Sequence, residues 1–326
     1  MDFVTLSQFL ADLPPFRLKQ IRQNYFSGRY QNFAEMSDLP KNLRDVLDTS
    51  TSLYSVTENK VVTSDITQKA VLNLSDGLKI ETVLMDYDDW KTACISCQVG
   101  CPLGCTFCAT GKMGFKRNLS VDEIVDQILY WNHKLYPQYV GRVVLMGMGE
   151  PFLNWDNVVA ALKIIKEDLT IGARKISLST AGIINGINKF TQLNTEINLA
   201  ISLHSADQKT RESIMPIAKT NPLPELTTAI LNYVNTTRRQ VFFEYALIKD
   251  VNDTPAALNQ LISFIKASRL FYLNLIPLNP VKGGLIPSDK LKYFQTELDK
   301  AHVDYSVRRT FGADIDSACG QLIVNQ

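Results

Sequence analysis

The stretch Cys94-Ile-Ser-Cys-Gln-Val-Gly-Cys-Pro-Leu-Gly-Cys-Thr-Phe-Cys108 holds five of the six cysteines in a chain of 326 residues. Within it Cys101, Cys105 and Cys108 are separated by three residues and then by two. One tight loop can therefore turn three thiolates toward a single point, with Gly104 freeing the backbone and Pro102 stiffening it. That donor set suits a cubane 4Fe-4S cluster. Such a cluster usually takes four cysteines, so three leave one iron open to a group that is not protein. Two other readings stand beside it. Cys94 and Cys97 could join Cys105 and Cys108 around a structural zinc, although only seven residues lie between the pairs, where zinc ribbons have about 15–20. A disulfide framework suits the chain less, because it is long, poor in cysteine and starts without a secretory pattern.

Outward from the loop, the chain from about residue 91 alternates strand and helix. Strands are expected over Thr92 to Gln98, Arg142 to Met148, Lys175 to Thr180, Ile197 to His204, Val241 to Ile248 and Tyr272 to Leu278. Helices are clearest over Val121 to Leu135, behind the capping-box pattern Ser120-Val121-Asp122-Glu123, and over Trp155 to Ile165, behind Asn154. Nearly continuous runs of Val, Ile and Leu belong to strands buried on both faces of a parallel sheet. Six such units predict an α/β fold, a partial (β/α)6 TIM-like barrel over 91–326. Parallel barrels carry their chemistry at the C-terminal strand ends, and each run here closes on unusual residues. These are the cysteine loop, Met146-Gly147-Met148-Gly149-Glu150-Pro151, Ser179-Thr180, Ser202-Leu203-His204 and Asn279-Pro280. Gly149 would let a ligand approach the backbone, and the Glu150 carboxylate would accept hydrogen bonds from an ammonium group.

Residues 51–90 alternate polar and β-branched positions around Asp76-Gly77, which predicts a β-hairpin extension with Lys79 to Met85 as its second strand. Residues 1–50 predict a small helical domain, with amphipathic helices over Phe16 to Phe26, where Phe16, Ile21 and Tyr25 fall near helical spacing, and over Pro40 to Leu47. The net charge of +1, from 34 basic and 33 acidic residues, supplies no global field for a polyanion. Any nucleic-acid contact must come from local groups such as Lys112, Lys116, Arg117, Arg238, Arg239, Arg308 and Arg309. Neither a signal-peptide pattern at the start nor a run of about 18 apolar residues is present, so a cytoplasmic protein without membrane contact is expected.

The motif Cys-x3-Cys-x-Phe-Cys at Cys101 to Cys108 resembles the signature of the radical S-adenosyl-L-methionine (SAM) superfamily. The longer string from Cys94 through Ala109-Thr110-Gly111-Lys112-Met113-Gly114-Phe115-Lys116-Arg117-Asn118 to Leu119 is similar to one family within it, the RlmN and Cfr RNA adenine methyltransferases. The match recurs along almost the whole chain. Several roles follow from the resemblance alone. Cys101, Cys105 and Cys108 would hold the cluster. Gly149, Glu150, Ser179, Ser202, Leu203, His204 and Asn279 would bind SAM. Glu81, within Glu81-Thr82-Val83, would be the proton acceptor. Cys319, within Asp314-Ile315-Asp316-Ser317-Ala318-Cys319-Gly320-Gln321, would be S-methylated. The resemblance implies two SAM molecules per turnover. One methylates Cys319. The other, cleaved to a 5′-deoxyadenosyl radical, activates that methyl group for addition to adenine C2, leaving a protein–RNA adduct that Cys94 helps to resolve.

The implied substrates are 23S rRNA at the peptidyl-transferase centre and the adenine next to the anticodon in tRNA. The implied electron donor is of flavodoxin or ferredoxin type, and the implied state is a monomer. Residues Pro15-Phe16-Arg17 and Phe33-Ala34-Glu35-Met36 resemble the family's N-terminal RNA-binding domain. Pro151 and the run Ile276-Pro277-Leu278-Asn279-Pro280 look more like the C2 enzymes than like the Cfr-type C8 enzymes, which remain the alternative. The family commonly has serine where this chain has Cys97, which places a fifth thiol beside the cluster. Without the resemblance, a radical SAM enzyme of peptides or small molecules and a zinc-bearing RNA-binding module would remain open.

Overall fold

The computed structural model describes residues 13–281 and 284–324. Residues 1–12, on which the reading of the chain's start rests, lie outside them. The strands are β1 Val56–Ser64, β2 Thr67–Leu74, β3 Lys79–Tyr87, β4 Trp90–Cys94, β5 Gln98–Gly100, β6 Phe115–Asn118, β7 Arg142–Leu145, β8 Ile176–Thr180, β9 Asn198–Ser202, β10 Val241–Leu247, β11 Phe271–Pro277 and β12 Tyr305–Val307. Ten of them form one sheet in the order β1-β2-β3-β4-β7-β8-β9-β10-β11-β12. Pairings from β4 to β12 are all parallel. Those from β1 to β4 are antiparallel. This is an α/β architecture, consistent with the incomplete barrel expected from the sequence.

All six expected barrel strands are present, and two details differ. The strand expected over Thr92 to Gln98 stops at Cys94. Beyond it the Gln127 side chain takes both backbone groups of Ser96, accepting from its N–H at 2.8 Å and donating to its carbonyl at 2.9 Å. That leaves Gln98–Gly100 to pair with β6 in a separate two-stranded ribbon. The edge strand β12 was not anticipated, because three half-buried residues are too short to show a period.

The turn at Asp76-Gly77 joins β2 to β3 as expected, with Gly77 at φ +82° and the Leu78 N–H donating to Asp76 Oδ1 at 3.1 Å. The hairpin gains a third strand in β1. Because β3 also pairs with β4, this meander continues the barrel sheet.

The Ser120–Glu123 capping box closes as read from the sequence and starts the helix Val121–Leu135. Asn154 precedes the helix Trp155–Glu167 but does not cap it. Its amide instead donates to the carbonyls of Cys97 at 2.8 Å and Leu119 at 2.9 Å, tying the cysteine loop to the barrel. Among the described residues no helix is long and apolar enough to cross a membrane.

The N-terminal helices Pro15–Phe26 and Lys41–Ser50 bury Ile21, Tyr25, Phe26 and Leu47. Phe16 is off that face, 61% exposed, with the Arg17 guanidinium 4.8 Å from its ring centre. One buried carboxylate fastens this region to the barrel. Asp126, in the helix Val121–Leu135, accepts from Tyr25 Oη and, at 2.6 Å each, from Ser55 N and Ser55 Oγ. Burial outweighs these donors and raises the Asp126 carboxyl from 3.8 to about 6. A folded-state value above the unfolded one means that stability is fully present below 3.8 and is lost as pH rises through about 6. The shift corresponds to about 3 kcal/mol. Between those pH values Asp126→Asn is therefore expected to lose less melting temperature than the wild type, as thermal unfolding at graded pH would show. Parallel profiles would refute the assignment.

Candidate active site

The C-terminal strand ends enclose a cavity of about 210 Å³. Its lining takes Cys94 from β4, Met146, Gly149 and Glu150 after β7, Ser179 and Thr180 from β8 with Ala181 after it, Ser202 from β9 with His204 after it, and Asn279 after β11. Arg308 and Arg309 enter after β12, Cys101, Cys105 and Cys108 from the cysteine loop, and Cys319 from the C-terminal segment. Eleven of the thirteen residues singled out from the sequence thus meet in one space. The two others lie outside it. The Leu203 side chain is fully buried in the apolar core, and Glu81 is 2% exposed and turned toward the C-terminal segment.

The cysteine loop is held at its start by the residue that leads into β6 and closed by a turn of its own. The Cys101 N–H donates to the Gly114 carbonyl at 3.0 Å, and the Cys108 N–H to the Cys105 carbonyl at 3.1 Å. Gly111 packs against the Cys105 backbone, where a Cβ would lie 3.0 Å from its nitrogen. Burial pushes the Cys101 thiol up to about 12 and raises Cys105 as well, with neighbouring thiolates adding to both. Free thiolates are therefore disfavoured here, and a bound cation is what reverses that balance. Among the described residues no three Cys, His, Asp or Glu side chains converge closely enough to wrap a single ion. A cubane offers a separate iron to each thiolate and tolerates a wider spread of sulfurs. The donor set therefore fits the cluster. Cys97, needed for the zinc alternative, is 2% exposed in the apolar core and does not line the cavity. It packs as a small hydrophobe.

Opposite these thiols, Glu150 is 3% exposed. Its Oε1 accepts from Phe152 N at 3.1 Å and its Oε2 from Ala181 N at 2.7 Å, while its own N–H donates to Gln98 Oε1 at 2.8 Å. Burial raises its carboxyl to about 7. Gly149 holds φ +105° against Gln98, so close that a Cβ would sit 2.6 Å from the Gln98 Cβ. His204 Nδ1 accepts from Ala246 N at 3.0 Å, and burial lowers the imidazole to about 3. The ring is neutral with its proton on Nε2. Asn279 Nδ2 donates to the Cys319 carbonyl at 3.1 Å, so this side chain positions the C-terminal segment.

Cys319 is the exposed thiol of the six, and Cys94 is half-buried. Burial raises Cys94 to about 12, with the charge of Cys319 adding to it. The Arg308 guanidinium faces both sulfurs and is raised first by Cys319 and then by Glu244, whose Oε2 lies 3.1 Å from its Nη1. Glu244 is in turn held by Asn274 Nδ2 at 3.1 Å. Arg308 is therefore a cavity residue rather than a phosphate grip.

Other cations grouped with it also move away from that role. Arg117 is paired with Asp76 at 2.7 Å and with Glu123 at 2.7 Å. Arg238 and Arg239 precede β10, at the barrel end opposite the cavity, where Arg239 donates to Asn198 at 3.1 Å. Lys112, Lys116 and Arg309 remain exposed.

A further cation had no sequence signal. Fully buried Arg211 donates to the carbonyls of Ala181 at 2.6 Å and Leu203 at 3.2 Å, tying two strand ends behind Cys105. In sequence it is one basic residue of a short polar helix, Gln208–Ile214.

The Radical SAM superfamily profile matches residues 95–256. The probable dual-specificity RNA methyltransferase RlmN of Exiguobacterium sibiricum is 42% identical over 320 residues, covering 94% of this chain and 90% of the relative. The protein of the same name in Bacillus subtilis is 40% identical over 327 residues, covering 97% of this chain and 90% of its own. A crystal structure of a radical SAM methyltransferase from Sphaerobacter thermophilus superposes with a TM-score of 0.91 at 36% identity, covering 99% of this chain and 97% of that one. The cavity and these relatives agree, and the chain belongs to the RlmN family of radical SAM RNA methyltransferases.

Proposed function

We propose that the protein methylates C2 of an adenine in 23S rRNA and of the adenine beside the anticodon in tRNA, with Cys319 as the methyl carrier. The observation that carries this reading is the entry of Cys319 into the cavity that Cys101, Cys105 and Cys108 line. Adenine C2 lies between two ring nitrogens and is too electron-poor to attack a methyl cation equivalent. Methylation there needs a radical route and a carrier that splits the transfer into two steps. When bound, the 4Fe-4S cluster and SAM, at two SAM per turnover, supply the one-electron chemistry. Electrons come from a small flavodoxin- or ferredoxin-type donor.

The chain's own residues do the rest. Cys319 is the methyl acceptor, with the Arg308 guanidinium in the same cavity. Cys94, on the same cavity wall as Cys319, is the thiol that resolves the covalent adduct with RNA once it has lost its proton. Glu150 takes the ammonium of SAM, with Gly149, Ser179, Ser202 and neutral His204 lining the same space. Glu81, raised by burial against the pull of Lys69, is the proton acceptor. Monomeric action in the cytoplasm accords with this reading.

RNA reaches the cavity past the β5–β6 ribbon. There Phe115 is 44% exposed, and Lys112 and Lys116 stand close by in the chain. This arrangement offers a stacking face and two phosphate contacts. Replacing both lysines with alanine is expected to weaken RNA binding and to lower the slope of log affinity against log salt by about 1.4, at about 0.7 per contact. An unchanged slope in filter-binding titrations would exclude the ribbon. The function itself is tested by mass spectrometry of rRNA and tRNA nucleosides from cells with and without the gene. Loss of 2-methyladenosine is expected, and loss of 8-methyladenosine instead would transfer the assignment to the C8 reaction.

A further inference from the structure

Cys319 stands on a C-terminal strap with little secondary structure of its own, the short turn Ala313–Ile315 excepted. The strap's shape is imposed by what it touches. Barrel elements hold its middle. The Ala109 N–H donates to the Gly320 carbonyl at 2.7 Å and Thr110 Oγ1 to the Leu322 carbonyl at 2.6 Å, while Gln321 Nε2 donates to the Pro280 carbonyl at 3.0 Å.

The flanks of the strap are held from the β1–β3 meander. In the β2–β3 register Lys69 faces Val83 and Val71 faces Glu81, so Lys69 and Glu81 are diagonal neighbours on one face of the sheet. Their side chains form an ion pair of 3.0 Å, with Lys69 8% and Glu81 2% exposed. Each also grips the strap. Lys69 Nζ donates to the Asp316 carbonyl at 3.0 Å, and Glu81 Oε2 accepts from Ile323 N at 2.8 Å. Asp316 precedes Cys319 by three residues and Ile323 follows it by four. The two contacts therefore bracket the thiol.

We propose that Lys69 and Glu81 form a buried latch that sets the position of Cys319 in the cavity, with Lys69 as a positioning residue acting through the strap. Burial gives the latch its force, since a lysine or carboxylate in a dry site is held to its partner and to whatever backbone groups complete its hydrogen bonds. Glu81 then has two engagements at once. Its Oε1 faces Lys69 and its Oε2 holds Ile323, so release of the Ile323 end is what exposes the carboxylate to a substrate proton. Freeing the base and loosening the strap become a single event. This consequence rests on the roles proposed above for Glu81 and Cys319, whereas the latch itself does not.

Amide hydrogen exchange on the full chain, without cluster or RNA, tests the latch. In Lys69→Met, peptides covering 312–324 are expected to exchange about tenfold faster than in the wild type, while those covering β8 and β9 stay unchanged. Lys69→Arg, which keeps the charge and donors, is expected to restore protection. Should Lys69→Met fail to fold, Ile323→Pro removes the N–H that donates to Glu81 and fixes φ there, at a 46% exposed position, and is expected to deprotect the same peptides. Wild-type exchange in the strap of a folded Lys69→Met or Ile323→Pro protein overturns the latch, as does failure of Lys69→Arg to rescue. Failure of the proposed function would appear in the nucleoside analysis, with the faster strap exchange of these variants still observed.

Discussion

In protein carrying Cys319→Ala, methyladenosine formation is expected to fall by more than about a thousandfold, as for loss of a covalent nucleophile. Iron, sulfide and SAM binding should stay at wild-type levels. No other thiol in the cavity can take the methyl group. Cys101, Cys105 and Cys108 are the proposed cluster ligands, Cys97 is closed in the core, and burial pushes the Cys94 thiol up to about 12. Cys319 alone combines exposure with a facing guanidinium, that of Arg308. Cys105→Ala should also abolish product, but through lost iron and sulfide. Parallel metal analysis and nucleoside mass spectrometry therefore separate the two variants. Undiminished product from Cys319→Ala would end the carrier role.

Glu150→Ala is expected to show the second large effect, on stability and on SAM binding together. Two buried N–H groups, those of Phe152 and Ala181, lose their acceptor, at about 1–3 kcal/mol each. The melting temperature should fall accordingly. SAM affinity should drop about a hundredfold, because a charge-assisted hydrogen bond to its ammonium is removed.

The wild-type carboxyl adds a pH signature. Burial holds it at about 7 against 4.5 unfolded, so its stability contribution is fully present below 4.5 and is lost as pH rises through about 7. Only the ionised form pairs with an ammonium, so SAM affinity should climb across that same pH. Equilibrium dialysis with reconstituted protein would show the climb in wild type and not in Glu150→Gln. A pH-independent affinity in the wild type would remove Glu150 from the ammonium site.

Much of the site was legible because it is local. The cysteine loop packs its three candidate ligands into eight residues, and Gly149-Glu150, Ser179, Ser202 and His204 each close an apolar run. Parallel strand ends converge by topology, so reading the strands placed these residues together. The electrostatic partners were not legible in this way. Arg308 looked like half of a basic surface pair until the fold set it beside Glu244, and Arg117 looked free until Asp76 and Glu123 closed on it. The Asn154 amide, read as a helix cap, crosses to the cysteine loop instead.

The sequence by itself determined the strand–helix alternation, the close spacing of Cys101, Cys105 and Cys108 and the presence of a separate distal thiol, because periodicity and spacing act over a few residues. Only the tertiary structure decided which charges meet. The Glu81–Ile323 bond spans 242 positions, and whether a lysine, arginine or carboxylate is solvated, paired or latched depends on distances that exist only after the sheet has curved and the C-terminal strap has docked on it.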